Sequence, residues 1–206
     1  MNAEPQALTD NPLLGDHALP AFGAIRPEHV EPAVRRMLAE QRASLAAAES
    51  APAPSLAWLL DIERINDTVH RVWGPVSHLN SVVSTPPLRD AFNRCLPLVT
   101  EFGTELGQNE KLYRHYATLG EVLAPEREPV ETELVKHALR DFRLGGVTLP
   151  PAERQRYREI MQGRAARQAS FEQNLMDATD AFHHHEPDRA ALTGLPEVVL
   201  TRAAAL

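Results

Sequence analysis

Residues 85–107 read TPPLRDAFNRCLPLVTEFGTELG. Within them Leu88, Phe92, Cys95, Leu96, Val99, Phe102 and Leu106 recur at three- to four-residue spacing. A helix turns once in about 3.6 residues, so these side chains share one face; a strand would have alternated apolar and polar positions. Thr85 is placed to cap this helix, and proline suits a first turn whose N–H has no partner to lose. A helix with one apolar stripe must bury that stripe against other helices.

The same grammar extends outward in both directions. Upstream, Arg26-Pro27-Glu28-His29 opens a helix whose apolar face is Val30, Val34, Met37/Leu38 and Leu45, and Ala51-Pro52-Ala53-Pro54 ends it. Ser55 caps a second helix carrying Leu56, Leu59/Leu60, Ile62, Val69 and Trp73. Gly74-Pro75 predicts a kink rather than a stop, because the pattern resumes at Val76, Leu79 and Val82/Val83. Downstream, a short helix is expected around Leu112, Tyr116 and Leu119. Another runs from about Glu126 through Val130, Leu134, Ala138 and Phe142 to a Gly145-Gly146 stop.

The longest helix is expected over 151–182. Met161, Gln168, Leu175 and Phe182 lie seven apart, as do Tyr157, Arg164, Phe171 and Ala178, which predicts packing along a neighbour. Arg164 and Gln168 interrupt the seam, so a strict coiled coil is not expected. Leu195-Pro196-Glu197 starts a last helix through Val198, Val199 and Leu200; it ends in apolar residues without a glycine stop, which is expected of a truncated chain. The predicted fold is all-α, an irregular antiparallel helical array, because the loops are short. Residues 1–26, rich in Pro, Gly, Asn and Asp, read as an extended arm anchored by Phe22 and Ile25, and 27–206 as one helical lobe of a larger protein.

Composition excludes several function classes. Aromatics are 5% of the 206 residues, which suits Leu/Ala/Val helix packing better than a sheet. The net charge is −7 and basic residues alternate with acids, as in Glu153-Arg154-Gln155-Arg156, so no basic face exists for nucleic acid. No apolar run reaches the roughly 20 residues that a bilayer crossing needs, and the first residues lack the basic start and apolar core of a secretory signal. One cysteine, Cys95, in an apolar stripe reads as a small buried hydrophobe in a reducing, cytoplasmic setting.

Residue chemistry alone assigns no catalytic and no metal-binding residue. His-Glu-x-x-His, which sets two ligands on one helix face with a base between them, is absent, since the single His-Glu pair, His185-Glu186, continues into Pro187. His183-His184-His185 point about 100° apart on a helix and cannot converge on one ion unaided. His70 and His78 flank the Gly74-Pro75 kink, and His78 is placed to face a groove there. The glutamates between Glu126 and Glu133 suit a helix start. No phosphate loop or serine elbow is present.

Several blocks nevertheless resemble the N-terminal region of the oligopeptidase A branch of the thimet-oligopeptidase family. They are Asn11-Pro12-Leu13-Leu14, Ile25 to Val34, Pro75-Val76-Ser77-His78-Leu79-Asn80-Ser81-Val82-Val83, Gly107-Gln108-Asn109-Glu110, Ala138 to Gly146, Phe171 to Thr179 and Gly194-Leu195-Pro196. The resemblance implies a lobe of a mostly helical cytosolic zinc endopeptidase that cuts short peptides in a channel. The zinc site lies in the other, C-terminal catalytic lobe, so this chain would be inactive alone and hold no cofactor. Its partners would be short peptides and that lobe. Ser77, His78, Asn80, Asn109, Asp141, Arg143, Asn174 and Asp177 are family-motif positions expected to have structural roles. Two other readings compete: a stand-alone helical module that binds peptides or a partner without cleaving them, and a small metalloenzyme built on His183–His185.

Overall fold

The structure, a computed structural model, describes residues 10–16, 18–124 and 128–205. It is all-α: seven α-helices and no strand among the described residues. They are α1 (Pro27–Glu49), α2 (Leu56–Val82), α3 (Pro86–Gly107), α4 (Glu110–Val122), α5 (Pro129–Leu144), α6 (Pro151–Asp180) and α7 (Glu197–Ala203). Short 3-10 turns occupy Phe22–Ala24 and Arg189–Leu192. The expected start of the fifth helix near Glu126 and the first residues of the arm lie outside the described residues. The chain divides into two units, Met1–Ser170 and Phe171–Leu206.

In the first unit α1 packs against both α2 and α3, and α4 packs against α5. Val30, Val34 and Met37 of α1 are buried with Ile62 and Val76 of α2 and Ala91, Cys95 and Phe102 of α3. The Trp73 and Phe92 rings stack 4.9 Å apart, joining α2 to α3. Leu112, Tyr116 and Leu119 carry the core into α4, where the Tyr116 ring lies 5.5 Å from Phe142 of α5 and 5.0 Å from Trp58. Ile25 is buried as an anchor, while Phe22 stays exposed with its ring 5.3 Å from that of His78.

Capping follows the sequence at Ser55, whose hydroxyl accepts from the Trp58 amide at 3.2 Å. Thr85 occupies the cap position of α3 but makes no side-chain capping bond. Pro86 and Pro87 fill the first two helical positions and have no N–H to offer it. Asn109 does the work at α4: its Oδ1 accepts from the Lys111 and Leu112 amides, both at 3.1 Å, and its Nδ2 donates to Glu49 Oε1 at 2.6 Å. That side chain therefore ties the end of α1 to the start of α4. Helix α2 runs through Gly74 and Pro75 without a stop. Helix α5 ends where Gly146 takes φ +88°, a left-handed conformation that only glycine adopts without strain.

Three expectations about packing need correction. Leu60, Val82, Val83 and Val130 are exposed, and Val135 is buried in α5 instead. The apolar pairs divide three ways: Met37 and Leu38 are both buried, Leu59 is buried with Leu60 exposed, and Val82 and Val83 are both exposed. Adjacent positions lie about 100° apart, and the width of the covered face is set by the neighbouring helices. The long helix does not bury an apolar seam, since Ala169 is its single buried residue among those described. The part of it within the first unit makes polar contacts there: the Arg158 Nε donates to Gln108 Oε1 at 2.8 Å, and Gln162 Nε2 to the Pro97 carbonyl at 2.9 Å. In the second unit Phe171, Leu175 and Phe182 are exposed.

Candidate functional site

An open groove of about 1060 Å³ lies on the first unit, between α2, the end of α3, α4 and α5. Its position follows from how closely the helices approach. A Cβ added at Gly145 would sit 2.9 Å from the Gly107 carbonyl oxygen, so the ends of α3 and α5 meet backbone to backbone. Away from that contact the helices diverge, and Ile62, Leu106, Leu134 and Phe142 line the space between them.

Five acidic or aromatic hydroxyl groups line this apolar surface: Glu63, Glu133, Asp141, Tyr116 and Tyr157. Glu133 carries its own partner, the Lys136 ammonium at 2.6 Å, which holds its carboxyl below the usual range. Asp141 pairs with Arg140 at 2.8 Å. Glu63 is different. Burial raises its carboxyl above the usual range, and no hydrogen bond or ion pair holds it among the described residues. Burial also raises the Tyr116 phenol, and the Glu63 charge adds to that rise. No Lys or Arg lines the groove among the described residues. The site is a mostly apolar trough in which one carboxylate has no cation among the described residues.

The sequence-derived positions do not assemble into one site. Ser77, His78 and Asn80 sit at the end of α2, half-buried, exposed and buried respectively. Asn80 is 5% exposed, and its Oδ1 has no hydrogen-bond partner among the described residues. His78 lies against Phe22 and does not line the groove between α2 and α5. Asn109 is the α4 cap, and the Arg143 Nε donates to the Tyr113 hydroxyl at 3.3 Å. Asn174 and Asp177 are exposed in the second unit. Only Asp141 among these lines the groove. Glu63 and Tyr116 were missed as site residues. A signal existed for Glu63, since it stands four residues after Leu59 and beside Ile62, a charge on the edge of an apolar stripe.

Residues 34–154 match the model of the neurolysin/thimet oligopeptidase N-terminal domain. The chain belongs to the thimet-oligopeptidase family. It is 38% identical to oligopeptidase A of Salmonella typhimurium over 95% of its own length and 29% of the relative's. With oligopeptidase A of Haemophilus influenzae the identity is 36%, over 94% of this chain and 29% of that one. A probable cytosolic oligopeptidase A of Arabidopsis thaliana is 30% identical over 96% and 28%. The chain thus spans less than a third of the length of these family members, and what matches is their N-terminal portion.

A metal ion would need at least three converging donors, and no three His, Cys, Asp or Glu side chains among the described residues are so placed. His183, His184 and His185 are all exposed, and His184 Nε2 stands 3.8 Å from a Glu186 oxygen. These residues do not fit a zinc site, and no catalytic step is derived from them. No helix among the described residues is long and apolar enough to cross a membrane.

Proposed function

We propose that this chain is the N-terminal, substrate-confining lobe of an oligopeptidase A-type peptidase, with 27–206 as the lobe and 1–26 as its N-terminal arm. In this reading the groove forms part of the wall along which short peptides lie. Zinc and the hydrolytic groups belong to the longer C-terminal part that family members carry. The observation that supports it most is the match of residues 34–154 to the family's N-terminal domain, a span that contains Ile62, Glu63, Leu134 and Phe142 of the groove. A buried lone cysteine suits a cytoplasmic protein. The eight motif residues then serve the framework, as Asn109 does at its cap, and none touches reacting atoms.

The test is turnover of a quenched-fluorescence peptide by the rigorously pure chain with added zinc. The expected result is none, and chelator-sensitive cleavage by the chain alone would overturn the reading. A second reading, a peptide-binding module without catalysis, is favoured by a groove built wholly from the first unit. Mixing the chain with the C-terminal part of the Salmonella relative separates the two. Association that changes peptide turnover supports a lobe, and tight peptide binding indifferent to that addition supports a module.

A further inference from the structure

We infer that the groove between α2 and α5 takes a short peptide with an arginine or lysine side chain flanked by apolar residues, and that Glu63 is the residue that selects the basic side chain. The inference rests on the peptide-wall reading above and adds to it a specificity. The groove offers Ile62, Leu106, Leu134 and Phe142 to apolar side chains. Its electrostatics point to one sign of charge, because Glu133 is already engaged by Lys136 and Asp141 by Arg140, whereas Glu63 has no cation among the described residues. Glu63 is a half-buried carboxylate on a groove with apolar walls, partly desolvated, which favours an occupant that brings a guanidinium or ammonium. Among the described residues no Lys or Arg lines the groove to compete for that role, and the lining His137 acts on Glu133. A second copy of this chain, or another stretch of a longer polypeptide, would cover the apolar wall without needing a basic residue opposite Glu63.

The experiment is fluorescence anisotropy with the full chain and labelled, end-blocked hexapeptides that differ at one position, arginine against its neutral isostere citrulline. End-blocking removes the terminal ammonium as an alternative cation. The arginine peptide should bind about tenfold more tightly, the order expected of one partly exposed charge-assisted pair. Glu63→Gln should erase that preference while leaving citrulline-peptide affinity unchanged, and Glu133→Gln should leave the preference intact. Circular dichroism on each variant confirms the fold. Equal binding of both peptides, or an arginine preference that survives Glu63→Gln, overturns the inference and leaves the peptide-wall reading standing. Binding of neither peptide, or a dimer that excludes both, overturns that reading of the groove as well.

Discussion

Removing the amide of Asn109 should cost more than a helix cap alone. Asn109→Ala leaves the Lys111 and Leu112 amides, each accepted at 3.1 Å, without their oxygen. Loss of such a cap costs about 1 kcal/mol. The same change deletes the 2.6 Å bond to Glu49 Oε1. A charge-assisted bond to a carboxylate whose side chain is 25% exposed is discounted by solvent to about 1 kcal/mol. The sum is about 2 kcal/mol, which in a domain of this size lowers Tm by roughly 4 to 8 °C. Asn109 and then Lys111 hold the Glu49 carboxyl below its ordinary 4.5, against a burial effect that pulls the other way. A depressed carboxyl contributes stability that is present above its unfolded value and lost as pH falls through the folded one. The gap between wild type and Asn109→Ala should therefore be widest near neutrality and close as pH drops below about 4. Asn109→Asp keeps a cap oxygen but sets a second carboxylate against Glu49. It should melt at least as low as the alanine variant at pH 7 and recover on acidification. Thermal melts at several pH values, followed by circular dichroism, measure all of this. A loss under about 0.5 kcal/mol for Asn109→Ala, or an Asn109→Asp variant as stable as wild type at pH 7, would refute the reasoning.

Two further outcomes follow from single contacts. Burial, with the nearby Glu31 charge, pushes the Cys95 thiol up to about 11, so maleimide at pH 8 should label it only as fast as the chain opens. Labelling at the rate of a free thiol peptide would contradict that burial. Gly145→Ala would drive a Cβ to 2.9 Å from the Gly107 oxygen and 3.2 Å from its Cα, and should cost about 1 to 3 kcal/mol because backbone must move. The reciprocal Gly107→Ala meets only the Gly145 Cα, at 3.7 Å, and should be tolerated; urea melts of the pair should show this asymmetry.

The helices and most of the core were legible in order along the chain. Local spacing alone sets an α-helical face, so Val30, Val34, Ile62, Cys95, Leu112 and Phe142 could be assigned to the interior before any partner was known. The absence of a His-Glu-x-x-His pair was equally local. Pairs such as Leu59/Leu60 were not resolved, because spacing does not say how wide a stripe the neighbours cover, and the exposed Leu60 records their answer. The long helix misled for the same reason. Seven-residue rows in α6 describe a face, but only a packed partner turns a face into a seam.

The groove itself belonged wholly to the tertiary structure. Glu63, Tyr116, Glu133 and Asp141 come from three helices, and nothing in their separation along the chain brings them to one trough. Their protonation and pairing depend on which neighbours desolvate or neutralise each group, quantities that exist only once the helices are packed. The sequence by itself determined the helical class, the family and the interior face of most helices, because each is written in local periodicity or short blocks. The close approach of α3 to α5, the opening beside it and the half-buried Glu63 carboxylate within it were decided by packing between segments far apart in the chain.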